Sequence, residues 1–464
     1  MSPTTIRTIL LTQLWFLCFG FSPGLLAQPR LGMAEAVAIA QKHDPWIQQA
    51  NHQQAALSAQ ADAATSLSSP KLSLTMANLP TDSFNFDQEP MTQFNVGVSQ
   101  QLPRGKQLKI RQQHLQDLSE QWPYRRANRL AEVQRLVSLI WLDIYLAQGS
   151  IQRISANRDL FEKMAEIAER NYGAALGRTR QQDVLQAQVE LTRLRDRLQV
   201  LQQKQDVGRQ RLREWLQPLL EGGNLPGALP GSSPGSSQEY GFAEVMVASS
   251  LPNLESDIAS LQSALEAKTD QQLLGYFSKH PAIQSLQQLV DAGLNEKQLA
   301  LEQYKPQWGI NASYGYREDG PGNNTRADFF SLGVSLDMPI FTRQKQDKTV
   351  LSAVEKVSAL RTQKWQALRS MFAAYKTELE AIENLNQRQN LYEQALLPQV
   401  QQQAEAVLTA YDSDDGDFSE VMRARIAQVN AEIEALTITV EKSKALVRLN
   451  YFLLADPEEV QGNE

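Results

Sequence analysis

Thiols are all but missing from this chain: its one cysteine among 464 residues is Cys18. That excludes a disulfide within one chain and any cysteine-based metal site. Histidine is nearly as scarce, and His43, His52, His114 and His280 lie far apart in sequence. There is no H-E-x-x-H, no G-x-S-x-G and no phosphate-binding glycine loop, so neither an enzyme nor a bound cofactor or metal is expected. A lone histidine on a polar helix is ordinarily solvated. Positive charge has no excess, with 45 Lys and Arg against 52 Asp and Glu, which argues against a nucleic-acid partner. Past the first 27 residues no run of about twenty apolar residues occurs, so any membrane crossing must be made by strands.

Residues 1–27 read as a secretory signal peptide, with Arg7 in a polar start, an apolar run from Ile9 to Phe21, and cleavage after Ala27. Cys18 lies inside it, and Trp15-Phe16-Leu17 is a poor lead-in for a lipidated cysteine. The exported chain is therefore expected to carry no thiol and no lipid.

What the chain does have is strict alternation, in four short runs. Trp308, Ile310, Ala312, Tyr314 and Tyr316 alternate with Gln307, Gly309, Asn311, Ser313 and Gly315. After a turn-rich stretch, Phe330, Leu332, Val334, Leu336 and Met338 alternate with Ser331, Gly333, Ser335 and Asp337. Leu72, Leu74 and Met76, then Phe94, Val96 and Val98, repeat the pattern earlier. A period of two with one greasy and one polar face predicts strands, at about 70–79, 92–103, 306–316 and 328–339. At about ten residues each arm could cross a hydrocarbon layer when tilted. Leu72, Leu74, Trp308, Ile310, Phe330, Leu332 and Val334 would then face lipid, and Asn95, Ser99, Asn311, Ser331 and Ser335 a lumen. Trp308, Tyr314, Tyr316, Phe329 and Phe330 serve equally as interface belts or as apolar filler.

The hairpins superpose at one offset. Pro70 and Pro306, Phe94 and Phe330, Gly97-Val98-Ser99 and Gly333-Val334-Ser335, Pro103 and Pro339, and Pro45 and Pro281 are each 236 residues apart. One register held across so many anchors implies an internal duplication. The first repeat spans 28–217 and the second 251–456. A Pro/Gly/Ser-rich linker (218–250) joins them, and 457–464 form a polar tail.

Each hairpin is followed by a long helical pair. Leu130, Val133, Val137, Ile140, Ile144, Ala147, Ile151 and Ile154 step by three and four, the seam of a long coiled-coil helix, with a kink expected at Pro123. Glycines near 172–180 end it, and Val184, Ala187, Leu191, Leu194, Leu198 and Leu201 mark the return. Leu368, Phe372, Tyr375, Leu379 and Ile382 lead out again, with an interruption at Pro398. The tip falls at about 411–420, and Ile426, Val429, Ile433, Leu436 and Val440 lead back.

Four strands cannot close a barrel around a lumen, and open edges in lipid leave backbone groups unpaired, so the pattern calls for several copies. Periodicity does not select their number. The duplicated hairpins with G-V-S in their second strands, the Tyr172 to Gly177 tip followed by Asp183-Val184-Leu185-Gln186-Ala187, and the signal peptide resemble the TolC family of outer-membrane efflux proteins. The resemblance covers essentially the whole mature chain. Pro70-Lys71-Leu72-Ser73-Leu74, Asn78-Leu79-Pro80 and Gln100-Gln101-Leu102-Pro103-Arg104-Gly105-Lys106 look most like its CzcC-like, heavy-metal branch, which tends to read Gly-Gly-Lys-Arg at Arg104–Gln107.

The resemblance implies a mainly α chain with a small membrane β part and a homotrimeric α/β-barrel channel-tunnel with four strands per protomer. It implies an outer-membrane location in a Gram-negative-type envelope with the helices in the periplasm. The partners implied are outer-membrane lipid, a periplasmic adaptor and an inner-membrane pump of the RND type. The function implied is passive export, with metal cations among the substrates and drug efflux or type I protein secretion as alternatives. The reading from another class is a secreted coiled-coil scaffold or adhesin.

In a trimer, Asp412, Asp414, Asp415, Asp417 and Glu420 would repeat around an axis, and rings of carboxylate favour cations and can gate. The same acids do not make an EF-hand, because Gly416 is misplaced and Arg423 stands where a glutamate is needed. Arg178 and Arg180 could latch the first tip to the acidic one. By the resemblance, Asp183 lines the constriction, and Leu176-Gly177 and Asp415-Gly416 are the adaptor-docking turns.

Overall fold

The structure, a computed structural model, describes residues 31–173, 180–216, 247–254, 268–322, 324–413 and 417–454. Helices dominate. In chain order the described elements are α1 (Met33–Lys42), α2 (Pro45–Ala63), β1 (Lys71–Ala77), β2 (Gln93–Gln101), α3 (Gln107–Gly173) and α4 (Gln181–Leu216). They continue with α5 (Asp270–Phe277), α6 (Pro281–Glu302), β3 (Gln307–Tyr316), β4 (Phe329–Asp337), α7 (Arg343–Leu391), α8 (Leu397–Asp412) and α9 (Phe418–Phe452). The strands form one antiparallel sheet in the order β1-β2-β3-β4. Pro45 and Pro281, Lys71 and Gln307, Gln93 and Phe329, and Gln107 and Arg343 open four pairs of like elements, each pair at the 236-residue spacing seen in the sequence.

Two helix starts use the same device. Proline suits the first turn because its missing N–H has no partner to lose, and the residue before it must then cap. Asp44 accepts from the Trp46 N–H at 3.0 Å, and His280 Nδ1 accepts from the Ala282 N–H at 3.2 Å. The histidine does not match the solvated role expected of it: its side chain is buried, and Nε2 donates to the Tyr451 carbonyl at 2.9 Å. His114 is likewise engaged, with Nδ1 2.7 Å from the Ala292 carbonyl.

At 67 residues and ~1.5 Å per residue, α3 runs on the order of 100 Å. The helix continues through Pro123. The second outgoing limb is interrupted where expected. Pro398 cannot donate to the preceding turn, and Tyr392–Leu396 form a π turn between α7 and α8, with the Leu397 N–H reaching back to the Tyr392 carbonyl. Among the described residues no helix is long and apolar enough to cross a membrane.

Three apolar clusters hold the helices together. Val133, Val137, Trp141 and Ile144 of α3 meet Leu212 and Leu216 of α4 and Val440 of α9. Phe277 and Ile283 meet Leu368 and Tyr375 of α7 and Leu449 of α9. Towards the tips, Ile154, Phe161 and Met164 of α3 pack with Ala187 of α4 and with Phe418, Val421 and Met422 of α9. Most of the expected linker lies outside the described residues, but its end does not behave as a spacer. Val247 is fully buried against the first cluster, the Ala248 N–H donates to the Leu31 carbonyl at 3.1 Å, and Trp141 Nε1 donates to the same carbonyl at 2.9 Å.

Candidate functional site

The sheet separates two surfaces, and its register shows how. Leu72, Val98, Ala312 and Leu332 stand in one cross-strand row, Leu74, Val96, Tyr314 and Phe330 in the next, and Met76, Phe94 and Tyr316 in a third. Gln100, Ile310 and Val334 make a fourth row and Trp308 and Leu336 a fifth. Because parity is preserved across every pairing, all these side chains share one face. Among the described residues nothing covers it: Phe330 is 72%, Leu332 71% and Leu72 68% exposed. A water-soluble sheet would bury such a face against helices, and an apolar patch of this extent marks a contact surface.

The opposite face carries Ser73, Thr75, Asn95, Ser99, Asn311, Ser313, Ser331 and Ser335. All four strand glycines, Gly97, Gly309, Gly315 and Gly333, lie on it too. A Cβ at any of them would come closer than 3.0 Å to a neighbouring polar side chain, namely Ser73, Ser335, Asn95 and Asn311 respectively. This face is close-packed at those positions, and glycine, with no side chain, is what fits there. Phe329 is the exception to the polar pattern. It shares this parity with Gly315, and the Arg317 guanidinium lies 4.0 Å over its ring. Filler, and not an apolar-face belt, is the role its register allows.

Among the described residues the outer edges of β1 and β4 have no strand partner. The strands hold 7, 9, 10 and 9 residues, near what a tilted strand needs to span hydrocarbon.

Where the sheet meets the helices, residues far apart in sequence converge. Arg104 pairs with Asp337 and donates to the Lys305 carbonyl at 2.9 Å. Glu302, buried at the end of α6, accepts from Lys305 Nζ at 2.6 Å and from the Lys106 N–H at 2.9 Å. Burial pushes its carboxyl up, but those two donors and the charges of Lys305 and Lys106 outweigh it and hold the group below its ordinary range. Gly105 turns the chain with φ +47, and any Cβ there would strike Glu302 and Lys305. The Arg104-Gly105-Lys106 run, which served the sequence reading only as a branch marker, is thus the elbow between strand and helix.

At the other end of the helices, Leu176, Gly177, Arg178, Asp414, Asp415 and Gly416 lie outside the described residues. Asp183 belongs to α4 and Asp412 ends α8. Arg180 sits one residue before α4. Asp417 caps α9, accepting from the Ser419 N–H at 3.1 Å, and Glu420 is exposed in its first turn. An acid there complements the helix dipole, so Asp417 has a capping role of its own. Among the described residues no group of three or more His, Cys, Asp or Glu side chains is placed to hold a metal ion.

The fold of this chain, a four-stranded sheet carried on long helices, matches solved structures over most of its length. The CmeC outer membrane channel of Campylobacter jejuni matches with a TM-score of 0.70 over 92% of this chain and 88% of that one, at 12% identity. The outer membrane protein VceC of Vibrio cholerae matches with a TM-score of 0.67 over 91% and 96%, at 13% identity. CusC, described as forming a transmembrane channel, matches with 0.67 over 91% of each chain, at 14% identity. The chain has the fold of these outer-membrane channels. No protein-family model matches the chain, and no curated protein matches it in sequence. Likeness at these identities shows the fold and not the role of any side chain, so the elbow and the faces are argued from this chain's own residues.

Proposed function

We propose that the chain is the outer-membrane channel of a tripartite efflux assembly, a passive duct that conducts what an inner-membrane pump of the RND type delivers through a periplasmic adaptor. The observation that carries this reading is the sheet. Its bare apolar face suits lipid, its polar face suits a water-filled lumen, and its two unpaired edges require closure by further copies. Three copies, the number the TolC-like resemblance implies, would give a 12-stranded barrel. The two repeats, 28–217 and 251–456, each supply one hairpin and one helical pair. Metal cations are the cargo we favour, on the CzcC-like run from Pro70 to Lys106, and drugs or secreted proteins are the alternative cargoes. The acidic second tip, with Asp412, Asp414, Asp415, Asp417 and Glu420 set against Arg178, Arg180 and Asp183, forms the constriction. The turns at Leu176-Gly177 and Asp415-Gly416 dock the adaptor. Exposed ion pairs of about 0–1 kcal/mol each suit a latch that a partner must open.

Fractionation of cells expressing the full chain tests the reading. A duct stays with the outer membrane through high-salt washing and leaves it only in detergent. Release by salt alone would return the chain to the class of secreted coiled-coil scaffolds.

A further inference from the structure

Both loops that join strands within a hairpin, residues 78–92 and 317–328, lie at the end of the sheet away from the helices, because every strand's other end connects to a helix. Loops of this length between strand ends are ordinarily mobile. Here they are tied to each other by two arginines of the second loop.

Arg317 Nη1 donates to the Pro90 carbonyl of the first loop at 3.1 Å, while its Nε and Nη2 hold the Ala327 carbonyl of its own loop at 2.8 and 2.5 Å. Arg326 Nη1 faces the carbonyls of Asp87 and Glu89 in the first loop, each at 3.3 Å, and that of Glu318 in its own loop at 3.5 Å. Each guanidinium therefore bridges the two loops. The rest of the second loop aims them. The Arg317 N–H donates to Asp328 and the Arg326 N–H to Asp319, both at 2.9 Å. Gly320 is buried beneath Arg326, where a Cβ would stand 2.6 Å from Nη2. The first loop is shaped to receive them. Asn78, at φ 57, donates through Nδ2 to the Met91 carbonyl at 3.0 Å, buried Thr92 donates back to the Asn78 carbonyl at 2.8 Å, and Phe86 stacks on Tyr316 at 6.4 Å. The Arg317 fork reaches the Pro90 and Ala327 carbonyls through separate nitrogens held in one plane, a geometry that a lysine ammonium, a point charge on a flexible stem, lacks; Arg326 meets its carbonyls through Nη1 alone.

We propose that Arg317 and Arg326 clasp the two loops into one pre-formed rim at the outer end of the sheet, so that passage is not controlled by movement of these loops. The clasp stands on the contacts above, and its role as a rim rests on the channel reading.

Hydrogen exchange on the full chain in detergent micelles, read by mass spectrometry, tests the clasp. In the R317A/R326A double variant, amides of residues 84–91 should exchange at least about tenfold faster than in the wild type, since charge-assisted bonds are lost. The strands should keep their protection. R317K keeps the charge and lacks the fork that reaches the Pro90 and Ala327 carbonyls through separate nitrogens, and should show a partial local loss. Unchanged exchange in the first loop would overturn the clasp. Loss of strand protection in both variants would overturn it as well, by making the arginines part of the sheet's global stability. Single-channel recording tests the rim: the wild type should pass a steady current and R317A/R326A should add flicker at similar mean conductance. A wild-type flicker that the variant abolishes would overturn the rim. No current from any form would overturn the channel reading and the rim with it, while the clasp would still be decided by exchange.

Discussion

Leu332 and Ser331 are adjacent in β4 and point to opposite faces, which makes them a matched pair for testing which face meets lipid. Leu332 sits in the row with Leu72, Val98 and Ala312, and Ser331 in the row with Ser73, Gly97 and Ser313. Both rows lie near the middle of the sheet. An arginine on the lipid face of a barrel costs about 2–4 kcal/mol at the bilayer midplane and ~1 kcal/mol or less near the interfaces. Replacing Leu332 also forfeits up to about 3 kcal/mol of apolar transfer. Leu332→Arg should therefore destabilise each copy by at least about 2 kcal/mol. Ser331→Arg leaves its charge in water and should cost less than about 1 kcal/mol. Reversible urea unfolding from lipid vesicles measures both. Equal losses for the two variants, or the larger loss for Ser331→Arg, would refute the assignment of faces.

Three further outcomes follow from the caps and the elbow. Burial lowers the His280 imidazole below its ordinary value, against the smaller opposing effect of its bond to the Tyr451 carbonyl. The unfolded chain then binds the proton more readily, so His280's contribution is complete above the ordinary imidazole range and is lost as pH falls below it. A His280→Asn variant, which can still cap but does not titrate, should flatten the dependence of thermal stability on pH between about 7 and 5. Asp44, 2% exposed, caps α2 and pairs with Arg129 Nε at 2.7 Å. Asp44→Ala removes the cap and the buried partner of a guanidinium that keeps some solvent and the Trp46 and Trp215 rings, and should cost about 1–2 kcal/mol in chemical denaturation. Gly105→Ala forces a side chain into a left-handed backbone site already filled by Glu302 and Lys305, and should cost at least about 2 kcal/mol by the same measurement, with Gly275→Ala, where space is open, as the control.

Local periodicity made most of the fold legible. The four strands and their parity were readable because a period of two survives in a single sequence, and the long helices because their seams step by three and four. The helix interruption at Pro398 was readable from one residue's missing donor. What escaped depends on partners distant in sequence. Arg104 meets Lys305 and Asp337 about two hundred residues away, and Arg326 meets Asp87 and Glu89 across a similar gap, so no local pattern announces either. His280 escaped for a different reason. Its signal was present in the proline after it and in Asp44 before Pro45 at the shared offset, and reading it required treating the residue before a helix-opening proline as a cap. Val247 was masked by the composition of the stretch preceding it.

The account rests most heavily on closure of the sheet by further copies. Native mass spectrometry of the full chain released from detergent micelles measures this directly. Three copies per particle, with β1 and β4 exchanging as slowly as β2 and β3, is the predicted result. A monomer that keeps its sheet intact with both edges open would contradict it.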